Sequence, residues 1–306
     1  MKFGVREICD VVFKAKTSGK LGTMEYVPGQ PVLYIESAKT STMEGASTTV
    51  YAQGGKGNSR LIAWEGERTL TFTVEDALLS PIGFAILSGA GLMDAAESAP
   101  IYVHVSSMTH VGANGTLDLA TADILKANEK IDAGSPIFVM EMKDGSMVKK
   151  MKATAADTTI VIDESDMPVD KDGNKIGCDI FVDFYVERKA AAQELTIDMG
   201  NFAGYYYVEA STLFRRQSDG YDLPAELVFP NVKVQSNFTF SMASTGDPST
   251  FTFTMDAMPG YTRFDRSKKV LCAMQIIDDS TSGDDTGKDS ADLDAGAEID
   301  YPIVKA

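Results

Sequence analysis

Three short stretches of this sequence alternate threonine or serine with large apolar residues. They are segments 68–74 (RTLTFTV), 236–242 (SNFTFSM) and 250–255 (TFTFTM). Successive side chains of a strand point to opposite faces, so this alternation predicts half-buried β-strands with one apolar and one polar face. The turn-forming run ASTGDPS between the last two predicts an antiparallel hairpin over 236–255. The pattern therefore predicts a mainly β protein.

Short apolar runs predict further strands, and two segments predict helices. One helix is expected at 75–88, where two acidic residues suit a helix N-terminus and Pro81 breaks or starts the helix. The other is expected at 121–130, with Thr121 or Asp123 as its cap. The additional strands are predicted at 31–37, 101–105, 137–142, 158–162, 180–187, 205–210, 226–234 and 269–277.

Composition predicts a discontinuous main domain. The Thr/aromatic alternation is shared by 1–97 and 190–277, whereas 98–189 has shorter apolar strands and several Asp-Gly turns. We therefore expect an inserted β-rich module at 98–189. Between 278 and 300 the chain holds nine acidic residues and one lysine, against a net charge of −16 for the whole sequence. A stretch this polar buries too little apolar surface to offset its ordering entropy, so 278–306 is predicted to be a flexible acidic tail.

Charge, cysteine usage and hydropathy exclude several classes of protein. The acidic balance disfavours tight nucleic-acid binding, which needs clustered lysine and arginine. The sequence contains no run of about 18 apolar residues, so no membrane-spanning helix is predicted. The charged N-terminal segment lacks the apolar core of a secretory signal, so a cytoplasmic site of synthesis and assembly is expected. Cys9, Cys178 and Cys272 form no CxxC pair, which favours reduced, buried thiols; the alternative is a cross-link between copies, which spacing does not reveal.

Candidate chemical sites do not match known motifs. His104 and His110 lie in or near a predicted strand, and no GxSxG elbow accompanies them, so structural histidines are expected. The acidic run 163–174 resembles a calcium loop, but its glycine and its twelfth residue are wrong for one. The glycine-rich stretch 54–59 lacks the spacing of a phosphate loop and predicts a long hairpin connection. No catalytic, metal or cofactor site is predicted, and the protein is not expected to be an enzyme.

Two small basic clusters allow two interpretations. They are Arg215-Arg216 and the group Arg263, Arg266, Lys268 and Lys269. Each could be a solvated face. Each could instead meet acidic residues on a neighbouring copy and set the register of an assembly.

Two stretches resemble the tail tube (major tail) proteins of tailed bacteriophages. The first runs from Thr48 to Leu92 and includes the loop GGKGN, the strand LIAW, the segment LTFTVEDALLSP and the run LSGAGL. The second runs from Gly204 to Ile277 and includes GYYYVE, LFR, DG, LPAE, PNVK, SNFTF and DPSTF in that order. The resemblance lies in the ordered set and covers somewhat under half of the chain.

The resemblance implies a tail-tube-type antiparallel β-sandwich or barrel with one short flanking helix. In that family six copies close a ring, and stacked rings form the channel through which DNA is ejected. By analogy, the connection 46–60 and the N-terminal arm 1–20 would contact the next ring. Together with the basic clusters, this gives a set of expected inter-ring or inter-subunit contact residues: Gly54, Gly55, Lys56, Asn58, Arg60, Arg215, Arg216, Arg263 and Lys268.

The same resemblance implies partners and a location. The chain would assemble with itself in the virion tail and would contact other tail proteins, such as a sheath, a tape measure, a baseplate or a terminator. Genome DNA would pass through without tight binding, because an acidic wall repels phosphate. Alternatives left open by the residues are a capsid decoration or baseplate β protein, the tube of a phage-like injection particle, and a β-sandwich hydrolase.

Overall fold

The computed structural model describes residues 2–126, 129–239, 242, 244–245 and 249–278. From residue 279 onward the expected acidic tail lies outside the described residues. One α-helix, α1 (Pro81–Ser88), lies among the strands of this part of the chain. In chain order the strands are β1 (Phe3–Val5), β2 (Asp10–Ala15), β3 (Gly19–Leu21), β4 (Met24–Tyr26), β5 (Pro31–Ile35), β6 (Ala38–Gly54), β7 (Ser59–Asp76), β8 (Gly91–Asp94), β9 (Ile101–Val111), β10 (Thr116–Asp118), β11 (Phe138–Lys143), β12 (Ser146–Met151), β13 (Ala153–Ala156), β14 (Thr159–Ile162), β15 (Cys178–Arg188), β16 (Gln193–Thr196), β17 (Tyr205–Arg216), β18 (Asp222–Val234), β19 (Phe251–Ala257) and β20 (Ala273–Ile276).

The largest sheet is antiparallel and curves around one core. Its strand order is β5-β2-β17-β18-β19-β7-β6, with β1 added beside β17 and β20 beside β18. Phe13 on β2 and Phe253 on β19 lie three strands apart in this order, yet their ring centroids are only 5.8 Å apart. In a flat sheet three strand spacings amount to about 14 Å, so the sheet must bend strongly. The predicted mainly β, antiparallel fold with one short flanking helix is confirmed.

In two of the three stretches with alternating threonines, the apolar side chains are buried and the threonines face away from the core, as predicted. Phe72 and Val74 of β7 and Phe253 of β19 are buried, while the intervening threonines are partly exposed. The additional strands predicted from apolar runs are all present, with shifted ends. The glycine-rich connection is a hairpin, as predicted, and its strands β6 and β7 extend over 17 and 18 residues.

The predicted strand at 236–242 is wrong over the described residues 236–239, which leave the sheet. The Ser236 hydroxyl accepts a hydrogen bond from the Ala203 amide (2.9 Å), and the Phe238 ring packs edge-on against Phe84 of α1 (5.0 Å). These tertiary contacts compete with strand pairing. As a result β19 pairs with β7 and the end of β18, so the predicted hairpin over 236–255 is also wrong.

The predicted helix at 75–88 is correct only from Pro81. Residues 75 and 76 continue β7, where they pair with β19 and β6. The helix begins at Pro81 because the Ser80 side chain caps it, accepting from the Gly83 amide at 2.9 Å. It ends at Gly89, which adopts a left-handed conformation (φ 75°).

The predicted helix at 121–130 is wrong over the described residues 121–126, which form turns. Asp118 accepts hydrogen bonds from the amides of Ala120 and Thr121, which fixes a turn before a helix could start. Asp123 then takes a positive φ of 58°, which the right-handed helix does not allow. Propensity favoured a helix, but side-chain hydrogen bonds to the backbone decided the local structure.

A second group of strands encloses its own core. Four strands form a sheet in the order β12-β11-β15-β9, and three form another in the order β10-β14-β13. Ile180, Val182 and Phe184 of β15 are completely buried in a cluster separate from the core of the large sheet. A two-stranded pair of β16 and β8 lies at both chain crossings between the two groups.

Substituting Gly89 with alanine should strongly destabilise the fold. A Cβ atom there would lie 2.3 Å from the backbone carbon of Phe202, in addition to the left-handed backbone penalty. We expect Gly89→Ala to lower the free energy of unfolding by about 3 kcal/mol. Gly145→Ala is the matched control, since Gly145 has the same φ of 75° with nothing within 4 Å, and about 1 kcal/mol is expected. Urea unfolding followed by circular dichroism measures both, and equal losses would contradict the steric argument.

Candidate assembly surfaces

A long hairpin arm projects from the large sheet. Residues 71–76 of β7 are paired on both sides, by β6 and by β19, whereas among the described residues the rest of β7 pairs only with β6. The arm, residues 46–69, is therefore a two-stranded ribbon about 35 Å long. Isolated two-stranded ribbons are marginally stable in water, so a ribbon of this length is expected to need a partner surface.

One face of the arm is apolar and exposed. Val50 pairs with Trp64, and Ala52 pairs with Ile62, so these four side chains share a face. The exposed fractions are 64% for Val50 and 54% for Trp64. Contiguous exposed apolar surface usually marks an interaction site.

The tip of the arm holds five of the expected contact residues. Gly54 ends β6, and a four-residue turn follows in which Gly55, Gly57 and Asn58 have positive φ. The Asn58 amide donates to the Gly55 carbonyl at 3.2 Å. The Arg60 guanidinium lies over the Tyr51 ring, 4.2 Å from its centroid, which holds this cation at the base of the tip. Lys56 is exposed within the turn.

The structure places Arg215 and Arg216 on the end of β17, where each meets carboxylates of the same chain. Arg215 makes two hydrogen bonds to Asp222, at 2.7 and 2.5 Å. Arg216 contacts Asp219 and also Asp278, at 2.9 Å. The neighbouring arginine lowers the pKa of Asp222 and of Asp219. These charges are matched within the subunit, which favours a structural role for this cluster.

Arg263 and Lys268 lie in the loop between β19 and β20. The Arg263 amide donates to the Tyr207 hydroxyl at 3.4 Å. Lys268 lines a surface cavity of about 340 Å³ together with Glu209 and Glu226. The expected contact residues therefore lie in three separate places: the arm tip, the end of β17 and the loop between β19 and β20. The fold does not bring them together into one site.

The side of the large sheet opposite its core is polar and acidic. Cross-strand pairs such as Thr254 with Thr73 continue across β19, β7 and β6 as a threonine-rich surface. Acidic groups outnumber basic groups on this polar face. Its acidic residues are Asp10, Glu44, Glu75, Glu209, Asp222, Glu226 and Asp256, and its basic residues are Lys14, Arg215 and Lys233.

The fold should be more stable when the Glu226 carboxyl group is protonated than when it is ionised. Burial, followed by the nearby Glu209 carboxylate, raises the pKa of Glu226, and Lys14 only partly opposes this. A carboxyl group with a raised folded-state pKa binds its proton more tightly in the folded state, so its destabilising effect disappears as the pH falls. Glu226→Gln should raise the thermal midpoint at pH 7 by about 1–2 °C. The gain should vanish near pH 4, and a gain that persists there would exclude this carboxylate as its source.

The residues weighed for chemistry do not converge on a site. His104 and His110 each lie 2.8 Å from one aspartate, Asp183 and Asp179 respectively, on an exposed sheet face. Asp170 accepts hydrogen bonds from backbone amides of its own turn. Within the described ranges, no group of three or more His, Cys, Asp or Glu side chains is arranged to hold a metal ion. Nor does any helix in those ranges have the length and apolar character needed to cross a membrane.

Comparison with known proteins assigns the chain to a family. A model of the YomU/Tube protein family matches residues 4–268. The chain belongs to the YomU/Tube family. This family consists of phage tail tube proteins, which confirms the resemblance inferred from the sequence. No curated protein matches the chain.

Membership of the YomU/Tube family gives the arm and the polar face a context. A tube family implies a structural role and a place in the virion tail. The apolar face of the arm was not identified from the sequence, although VYA and LIAW flank the glycine-rich turn. These apolar residues on both sides of a glycine-rich turn do predict a hairpin. The pattern does not predict that their side chains are exposed.

Proposed function

We propose that this protein is the subunit of a phage tail tube, assembling as stacked hexameric rings around the channel for DNA ejection. The observation that carries the proposal is the family match over residues 4–268. The projecting arm supports it, because a ribbon about 35 Å long with an exposed apolar face is suited to reach the neighbouring ring. In this assembly Gly54, Lys56, Asn58 and Arg60 meet the next ring through the arm tip.

The polar face of the large sheet lines the channel in this proposal. Threonine hydroxyls keep such a wall wet, and the excess of carboxylates repels phosphate, so DNA passes without being trapped. Ion pairs with Asp222 and Asp219 neutralise Arg215 and Arg216, so these two arginines attract DNA only weakly. Tail-tube partners, namely a tape measure, a baseplate, a terminator and in contractile tails a sheath, would contact the tube ends, lumen or exterior. Assembly takes place in the host cytoplasm.

We also propose that 1–97 and 190–277 form the tube domain and that 98–189 is an inserted module. The two separate cores support this division. The large sheet draws its strands from the first two segments, and the four-stranded and three-stranded sheets draw theirs from the third. No catalytic activity or cofactor is proposed for either part.

Electron microscopy of the purified protein in negative stain, over a range of concentrations, tests the proposal. Hollow tubes or stacked six-fold rings are expected. Discrete particles that never polymerise at any concentration, even when tube-initiating proteins from the same phage are added, would overturn it. They would favour a capsid decoration or baseplate role.

A further inference from the structure

Strand β9 is an open sheet edge that lacks the usual protection against pairing. It pairs with β15 in unbroken register, from Ile101 opposite Arg188 to Val111 opposite Cys178. In the described part of the chain no strand lies on its other side. Its sequence, IYVHVSSMTHV, contains no Asp, Glu, Lys, Arg, Pro or Gly. Natural edge strands are normally kept short or blunted by charges, proline or bulges, so an eleven-residue edge without these devices is suited to pairing.

The side chains of β9 are also incompletely covered. Its core-side residues Val103 and Val105 remain half-buried, whereas Val182 and Phe184 on the adjacent β15 are fully buried. On the outer face, Met108 is 69% exposed. One more strand beside β9 would cover both rows of side chains.

The opposite edge of the same sheet has a complementary direction. The sheet order β12-β11-β15-β9 is antiparallel throughout, so β12 runs opposite to β9. A β12 strand from a second copy would therefore pair with β9 antiparallel and continue the same sheet. Residues 146–150 make no backbone hydrogen bond to a described segment other than β11, although β12 bulges at Val148 and the Lys149 side chain contacts Asp166.

Charge complementarity identifies β12 as the partner edge. The outer face of β12 carries Lys150, whose ammonium lies 4.9 Å from the centroid of the Phe138 ring. Beside β9, on the same outer face, β15 carries Asp179, Asp183 and Glu187. The first two contact His110 and His104 of β9, at 2.8 Å each, and Glu187 lies 3.8 Å from Lys189, so Lys150 would join existing contacts. Lysine on an edge disfavours pairing with uncharged or basic edges, so it selects for an edge flanked by acids.

We propose that β9 of one copy pairs with β12 of the next, joining the four-stranded sheets of neighbouring subunits head to tail. The contact uses two different edges, so it is heterologous and generates a ring when the rotation closes. In this respect the inference rests on the proposed tube, because the ring supplies the neighbouring copy. It gives the inserted module a role as a second belt of subunit contacts.

Cysteine cross-linking across the two edges tests the pairing. Lys150→Cys is combined in turn with His104→Cys, Ser106→Cys and Met108→Cys, which sample three registers on the same face. Directly opposed residues of paired strands have Cβ atoms about 5 Å apart, within disulfide reach. Within one copy the two edges are three strand spacings apart, about 14 Å, so an intramolecular bond cannot form.

After mild oxidation, a non-reducing gel should show a ladder of covalent multimers for one of the three double variants. The single variants and the unmodified chain with its three native cysteines set the background. A ladder in a double variant alone supports the head-to-tail contact. A strong dimer from Ser106→Cys alone would indicate β9 pairing with β9 and overturn the proposal. Absence of a ladder in all three double variants would also overturn it.

Electron microscopy of the same samples separates this inference from the tube proposal. Tubes without a ladder would refute the edge contact and leave the tube intact, whereas a ladder without tubes would support the contact and count against the tube. Lys150→Glu should weaken self-association at least threefold, with Lys171→Glu in an exposed turn as the matched control. Equal behaviour of the two charge variants would contradict the charge selection.

Discussion

Shortening the arm is expected to abolish tube formation while leaving the subunit folded. Replacing residues 53–61 by Asn-Gly joins the paired residues Ala52 and Ile62 through a two-residue turn, so the strand register is kept. The removed residues are exposed or half-exposed and contribute nothing to either core. The thermal midpoint should therefore change by less than about 2 °C. Electron microscopy should show rings or monomers in place of tubes.

A point variant on the apolar face of the arm sharpens this test. Trp64→Ser removes a large exposed side chain that we expect to be buried between rings. Loss of about 1.5–3 kcal/mol per contact should raise the critical concentration for polymerisation roughly tenfold to a hundredfold. Tyr221→Ser, at a similarly exposed position away from the arm, is the control. Normal tubes from both arm variants would show that the arm is not an inter-ring contact.

Phe229→Ala is expected to cause the largest loss of stability among single core variants. Phe229 is fully buried, and its ring stacks on Phe72 with centroids 4.9 Å apart and planes 20° apart. The contact links β18 to β7 across the curved sheet, two strands away in the strand order. Truncation leaves a ring-sized cavity, which costs about 3–5 kcal/mol.

Urea unfolding of the soluble subunit, followed by far-ultraviolet circular dichroism, measures this loss. Fluorescence is less suitable, because the single tryptophan lies on the arm. Phe264→Ala is the control, since that ring is 90% exposed, and it should change stability by less than about 0.5 kcal/mol. A loss below about 1 kcal/mol for Phe229→Ala would mean that the core collapses around the missing ring.

The alternation of polar and apolar residues correctly predicted the strands β7 and β19, which pair with neighbouring strands of the large sheet. The same alternation at 236–242 failed, because Ser236 and Phe238 found partners in the Ala203 backbone and on α1. The helix expected at 121–130 failed for a related reason: Asp118 fixes a turn before it. The local pattern cannot weigh the contacts of Ser236 and Phe238, since their partners lie far away in the chain. The hydrogen bonds of Asp118 reach only two and three residues along the chain, so there the pattern failed to weigh a turn against a helix.

By itself, the sequence determined the β class, the position of most strands and the resemblance to tail tube proteins. Periodicity and proline or glycine geometry act locally, so one chain is enough to read them. Only the tertiary structure decided that the arm is a free ribbon and that Arg215 and Arg216 are matched by acids of the same subunit. It also decided that β9 is an edge with no neighbour in the described part of the chain. Exposure and charge pairing depend on which distant strands become neighbours, and strand order is not contained in the pattern of any one strand.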